Sequence, residues 1–427
     1  MEGLFGRRKA PGRSLPARAS RNAMGIFSLG WALALAAGLL FHSWSVKAQG
    51  GAASSNVVFT VVPTPNPIKG TRNNNLISVS AASPTDIWAV GQTTIHFDGT
   101  KWTGFQAPAM NGLNENSLNG VANLGNNNAY AVGYYRDSNG LIHQLIEHWD
   151  GTQWSAMPGA KLPTQDEPFF EGISAISAND IWAVGDVIIN NQNVPLHEHF
   201  DGTAWTAVLD RGAGGLSFLQ AVSAVSTNDV WAVGYSGFAN SNSTTLTEHW
   251  DGTSWKVVKS PSVGTGANQL NGVVALASDD VWAVGFSTAT QQPPPGQFDV
   301  PTMTLIEHWD GSSWSVVPSP NVGPNSQYQS NKLYGVTAVS PTDLWAFGSF
   351  FFADGSGQQN TLLLHWDGTT WSINPSPNPQ HNPSFVSDIL SGGTVPSPGN
   401  VWIVGTQLPF ITGGPVQATF VIHTNGG

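Results

Sequence analysis

The sequence predicts an all-β chain folded as a seven-bladed β-propeller, a ring of four-stranded antiparallel sheets. Three observations predict it. A phrase of the form DIWAVG recurs along the chain. A second phrase, EHWDGTxW, alternates with it. The two ends of the chain each hold part of one incomplete repeat.

The first phrase stands at Asp86–Gly91, Asp180–Gly185, Asp229–Gly234, Asp280–Gly285, Asp343–Gly348 and Asn400–Gly405, with a degenerate copy at Asn128–Gly133. An apolar run precedes each copy, as in Gly172–Ile176, and a polar turn joins the two. Alternation along Ile181–Gly185 puts Trp182 and Val184 on one face and the smaller residues on the other, so large side chains stack on small ones. The second phrase stands at Glu147–Trp154, Glu198–Trp205, Glu248–Trp255 and Glu307–Trp314, and loses its Glu at Ile95–Trp102 and Leu364–Trp371. Its Asp-Gly pair lies between two strand-like runs and predicts a tight hairpin. One unit is therefore strand a, turn, strand b, variable loop, strand c, Asp-Gly turn, strand d. The repeated His residues are 50–59 residues apart, a propeller spacing. Such a sheet is apolar on both faces and needs neighbours on both sides.

The count of seven comes from the ends. Six full units run from about residue 73 to 379. The last, over 384–427, has strands a, b and c and stops where its c–d turn would fall. Near the start, FTVVPTPN (Phe59–Asn66) matches WSVVPSPN (Trp314–Asn321) with Phe in place of Trp. Residues 57–62 are thus expected to supply the missing strand d and close the ring without an exposed edge. The expected layout is a leader over 1–48, a flexible tether over 49–56 and the propeller over 57–427.

The leader is read from Arg7, Arg8, Lys9, Arg13, Arg18 and Arg21, the apolar run Met24–Phe41, and small residues before a cut after Ala48. The run is nearly long enough to span a bilayer, so the segment is a signal peptide or an uncleaved membrane anchor. Either way the expected location is extracellular or at the cell surface, with membrane contact only if the leader is retained. Beyond residue 48 the chain carries 9 basic and 26 acidic residues, a net charge of −17. That charge and the absence of a basic cluster exclude nucleic acid as a partner. With no cysteine, disulfides, thiol catalysis and Cys-ligated zinc are excluded too.

The order VWAVG then HWDGTxW resembles that of kelch-type propellers, including the central domain of galactose-oxidase-like proteins, over about residues 57–427. There a hydrophobic strand b ends in glycines and a Tyr-Asp…Trp phrase spans strands c and d. The resemblance implies a propeller of exported bacterial type. Each unit here has one Gly where that family has a pair. The Tyr–Cys pair of galactose oxidase has no counterpart, so its chemistry is not carried over. DGTxW is also similar to the aspartate box of sialidases, at a different spacing.

Seven His recur once per unit: His96, His148, His199, His249, His308, His365 and His423. Repetition by symmetry makes them architectural, each expected to hydrogen-bond a strand or turn. The Glu before four of them reads as half-buried. His197 and His199 share a strand face, but no third ligand accompanies them, so neither metal nor cofactor is assigned. No catalytic residue is assigned either. Function is expected where the repeats differ, on the face of the b–c and d–a loops. The candidate ligand-binding residues there are Tyr135, Arg136, His143, Phe238, Phe298, Asp299, Tyr328, Phe351, Phe352 and Asp354. Aromatics among polar side chains suit a glycan or a protein ligand. The expected function is a monomeric, non-catalytic binding module. The alternatives are a secreted polysaccharide hydrolase or lyase using loop carboxylates, and a purely structural surface protein.

Overall fold

The computed structural model describes residues 57–68, 74–105, 116–162, 167–209, 216–238, 242–288, 300–323, 329–352, 358–378, 387–408, 410–411, 414–415 and 417–424. All belong to one compact unit, Gly50–Gly427. The leader and the tether lie outside the described residues.

Blade 1 is built of Leu76–Ser83, Asp86–Gly91, Thr94–Phe97 and Trp102–Phe105 as strands a to d. Blade 2 is Asn116–Asn123, Ala129–Arg136, Ile142–Trp149 and Trp154–Ala156, and blade 3 is Glu167–Ser177, Asp180–Ile189, Gln192–Phe200 and Trp205–Leu209. Ser217–Ser226, Asp229–Ser236, Thr244–Trp250 and Trp255–Val258 form blade 4, and Asn268–Ala277, Asp280–Thr288, Thr302–Trp309 and Trp314–Val316 form blade 5. Blade 6 is Gln329–Ser340, Asp343–Phe352, Gln359–Trp366 and Trp371–Ile373. Blade 7 takes Asp388–Ser397, Asn400–Gln407 and Ala418–Thr424 from the end of the chain, and Phe59–Val61 pairs antiparallel with Ala418–Thr424 as its strand d. Seven four-stranded blades are therefore present among the described residues, all their within-blade pairings are antiparallel, and a single parallel pairing, Thr302 with Ser330, joins blades 5 and 6. Successive a strands touch around the ring, and Asp388–Ser397 touches Leu76–Ser83 to complete it.

The closing strand reproduces its repeat down to single hydrogen bonds. In blades 5 and 6 the linker after strand d caps strand c: Asn321 and Asn378 accept at Oδ1 from the amides of Thr304 and Thr361. Asn66 does the same for Thr419, at 2.9 Å. Thr64 bonds the Thr419 hydroxyl as Ser319 and Ser376 bond those of Thr304 and Thr361. The xPSPN phrase is thus a clamp, and residues 59–66 bring a complete one.

Each seam between adjacent blades holds its own hydrophobic cluster. The strand-b Trp is the knob. Trp231 packs at 5.0 and 5.4 Å on Trp309 and Trp314 of the next blade, and Trp282 at 5.0 and 5.8 Å on Trp366 and Trp371. Trp345 instead meets Phe59, edge-on at 5.1 Å. Burying such side chains contributes about 2–3 kcal/mol each, which a single blade cannot collect alone.

The Gly that closes each DIWAVG phrase has a steric cause. Strand a bulges beside it in every blade, between Leu76 and Ser78 in blade 1 and between Leu390 and Gly392 in blade 7. A Cβ on any of these glycines would fall 1.8–2.2 Å from a carbonyl oxygen of strand a or, in blade 1, of Asn75 just before it. The Asp-Gly hairpin is looser than the sequence predicts. Trp149 pairs with Trp154 across a four-residue loop. Asp150 Oδ1 accepts there from the Thr152 amide and hydroxyl and from the Gln153 amide, which holds its carboxyl down at about 2. Only the Gly of the pair takes a positive φ, so the side chain, not a two-residue primed turn, organises the loop.

Candidate functional site

The repeated His are spoken for. Each lies 2.6–2.9 Å through Nε2 from the side-chain oxygen of the residue that opens or immediately precedes strand b. That residue is Asp86, Asp180, Asp229, Asp280 or Asp343, and Asn128 or Asn400 in blades 2 and 7. Each imidazole also packs on the strand-b aromatic, at 4.0–4.6 Å between ring centres. An acceptor-only carboxylate or amide oxygen places the proton on Nε2. These triads tie strand c to the a–b turn and are architecture. His148 and His423, beside an amide rather than a carboxylate, are held below the ordinary His range by burial.

The Glu preceding four of these His are fully buried, not half-buried as the sequence suggested. Along strand c, Glu alternates with Leu145 and Trp149 and so faces the seam, where the neighbouring blade excludes water. His197 meets Glu248 there, Nε2 to Oε2 at 2.7 Å but off the line of a good hydrogen bond, and stacks on Trp255 at 4.2 Å. With His199 engaged by Asp180, this pair is committed to packing. Among the described residues no three metal-ligating side chains come together.

Of the ten candidate residues, the structure joins three. Tyr135 stacks on His143 at 5.0 Å, His143 Nε2 lies 3.0 Å from Asp137 Oδ2, and Arg136 Nη1 donates to the Gly140 carbonyl at 2.7 Å. They form one ordered hairpin between strands b and c of blade 2. Phe238 stands apart beyond strand b of blade 4, 63% exposed. Phe351 sits half-buried in strand b of blade 6, paired with Gln359, and the backbone of Phe352 ends that strand. Phe298, Asp299, Tyr328 and Asp354 lie outside the described residues.

The structure adds a set that the sequence reading missed. The register skips one residue at the strand-a bulge of each blade: Ile77, Asn119, Glu171, Gln220, Asn271, Tyr334 and Ser391. These bulges lie on strand a, which touches strand a of both neighbouring blades, within a few residues of where the d–a loop enters it. Asn119 accepts from the Ser117 hydroxyl and donates Nδ2 to the Phe170 carbonyl and to Glu171 Oε2 at 3.1 Å, which fixes Glu171 in position. Asn271 donates to the Leu333 carbonyl of the next blade. Outside this ring lie aromatics: Tyr134 against Phe169 at 5.3 Å, Phe218 stacked on Tyr235 at 4.8 Å, and Phe286 under the Lys332 ammonium at 4.5 Å. The signal was present in the sequence, because no two of the seven blades agree at this position except for the two Asn.

No protein-family model matches the chain, and no curated protein matches it. The fold is similar to that of YCF48 bound to a D1 peptide, at 14% identity over 87% of this chain and 99% of that one, with a TM-score of 0.50. It is similar also to a polysaccharide lyase of family PL25, an ulvan lyase bound to -[GlcA(1-4)Rha3S]-, at 10% identity over 85% and 96%, with a TM-score of 0.50. At these identities the likeness is one of fold. The chain is a β-propeller.

Proposed function

We propose that this chain is an exported, non-catalytic binding propeller that takes its ligand at the channel mouth of the variable-loop face. One observation carries the reading: residues that repeat in every blade are consumed in triads, clamps and seams, whereas chemistry differs from blade to blade at the bulge ring and its aromatic collar. Amides, one positioned carboxylate and the half-buried Tyr134 and Tyr235, backed by the buried Phe169 and Phe218, supply hydrogen bonds and stacking surface, which suits recognition. The ring holds Glu171 as its one carboxylate, whereas a glycosidase needs a pair about 5–10 Å apart. The body's charge of −17 opposes an acidic polysaccharide such as the one in the lyase complex, so a neutral glycan or a protein segment is the expected ligand. The kelch-like phrase order and the leader-type first 48 residues support the exported setting.

The test is a binding screen of the full chain against neutral and acidic oligosaccharides and against peptides. Glu171→Ala and Tyr235→Ala are expected to weaken a hit about tenfold or more while leaving the melting temperature in place. Binding that survives both substitutions would move the site elsewhere. Turnover of a saccharide abolished by Glu171→Gln would replace the binding reading with the enzymatic one.

A further inference from the structure

The strand-c position before the repeated His reads, from blade 1 to blade 7, Ile95, Glu147, Glu198, Glu248, Glu307, Leu364 and Ile422. One residue earlier the chain reads Thr94, Ile146, His197, Thr247, Ile306, Leu363 and Val421. The Glu248–His197 contact shows that the first position of one blade faces the second position of the preceding blade. The apolar seams obey the same rule. Ile306 and Leu364 share a cluster, as do Leu363 with Ile422 and Val421 with Ile95. Apolar thus faces apolar in the three seams from blade 5 round to blade 1, and every Glu lies in the four seams from blade 1 to blade 5.

Those four carboxyl groups are not equally served. Glu248 has His197. Glu198, opposite Ile146, accepts the Ala160 amide at 3.0 Å. Glu147 and Glu307, opposite Thr94 and Thr247, are wholly buried, and neither oxygen of either has a hydrogen-bond partner among the described residues. Thr247 gives its hydroxyl to the Val258 carbonyl instead. A bare carboxylate in such a place costs several kcal/mol, so the group stays protonated.

We infer that the seams between blades 1 and 2 and between blades 4 and 5 are proton-dependent joints, closed while Glu147 and Glu307 are protonated and loosened when they ionise. Burial pushes both groups up to about 8. The other titratable groups on these seams are few. Across from Glu147 lies the Asp86–His96 pair, which packs on Trp88, and Tyr135, on strand b of Glu147's own blade, sits at the cluster's edge. Across from Glu307 lie the Asp229–His249 pair and, on the outer strand beside it, Lys256, held by Asp251. On their own strands His148 and His308 turn to the opposite face. Among the described residues no cation faces either Glu closely enough to offset its ionisation.

The sign follows from linkage. A carboxyl that holds its proton in the folded chain but loses it in the unfolded chain stabilises fully below about pH 4.5. It loses that contribution as pH rises towards 8. The fold itself supplies the conservative replacement, since Leu364 fills the equivalent place in blade 6.

The experiment is thermal unfolding of the full chain from pH 5 to 8.5, with hydrogen exchange corrected for intrinsic rate, for the parent, Glu147→Leu, Glu307→Leu and the double variant. The parent's melting temperature is expected to fall by on the order of 5 °C or more across that range. Each single variant should flatten the fall in part and the double variant most. Exchange in strands c of blades 2 and 5 should quicken with pH in the parent, in blade 5 only for Glu147→Leu, in blade 2 only for Glu307→Leu, and in neither for the double variant. Glu198→Leu, aimed at the seam whose carboxyl has an amide donor, should flatten the fall less than either. A parent with a level or rising profile, or a double variant that falls as steeply as the parent, would overturn the inference.

Discussion

Replacing Phe59 tests the closure most directly. Its ring is 5% exposed and sits in a cluster with Trp345, Leu363, Leu390, Val401, Ile403, Phe420 and Ile422. Phe59→Ala removes the edge-on contact with Trp345 and leaves a cavity the rest of the blade is too rigid to fill. A buried Phe truncated to Ala costs about 3–5 kcal/mol. At roughly 2 °C per kcal/mol for a body of this size, the melting temperature should drop by about 6–10 °C. Two companions frame the result. Val61→Ala, two residues along the same strand and 43% exposed, should change it by less than about 1 °C. Phe59→Trp should be tolerated, because a Trp opens strand d in each of the other six blades. Differential scanning calorimetry reads all three. A Phe59→Ala chain that melts with the parent would mean that the first strand contributes nothing to the ring.

Other outcomes follow from the same geometry. Gly285→Ala should unfold the propeller or cost several kcal/mol, because its Cβ would stand 1.9 Å from the Gln269 carbonyl oxygen; chemical denaturation checks it. Asp229→Asn should be nearly neutral, since Asn128 and Asn400 do the same work in blades 2 and 7, whereas Asp229→Ala should cost about 1–2 kcal/mol by leaving His249 unpaired. His148 and His423 are lowered by burial, so their contribution is present above the ordinary His range and lost as pH falls through it. Asn128→Asp should therefore slow the loss of stability between about pH 7 and 5, read by melting temperature.

The fold was legible because its signals are repeated and local. Trp182 and its copies mark strand b, Asp150-Gly151 and its copies mark the outer hairpin, and the Phe59–Asn66 match to blade 5 locates the closure. What the sequence did not reveal depends on neighbours in space. Glu147 looks half-exposed beside a charged turn and becomes buried only because blade 1 covers it. The partnership of His197 with Glu248 spans two blades and has no linear spacing to betray it. Glu171 and Gln220 hide inside a repeated strand, and only the bulge singles them out. Loop composition marks the Tyr135–His143 hairpin, but it carries no mark of the bulge residues on the strands that those loops enter.

The closing strand also dictates when the molecule can become whole. Phe59–Val61 leaves the ribosome before every other strand of the ring and its partner, Ala418–Thr424, after them, so more than 350 residues must be made before the two can pair. Until then blade 7 has no outer strand and blades 1 and 6 face each other across a gap. Pairing over such a sequence separation is slow, and the half-made ring exposes apolar seams. If the chain is carried across a membrane still unfolded, that delay serves it: the one step that locks the ring cannot occur before the last blade has been delivered.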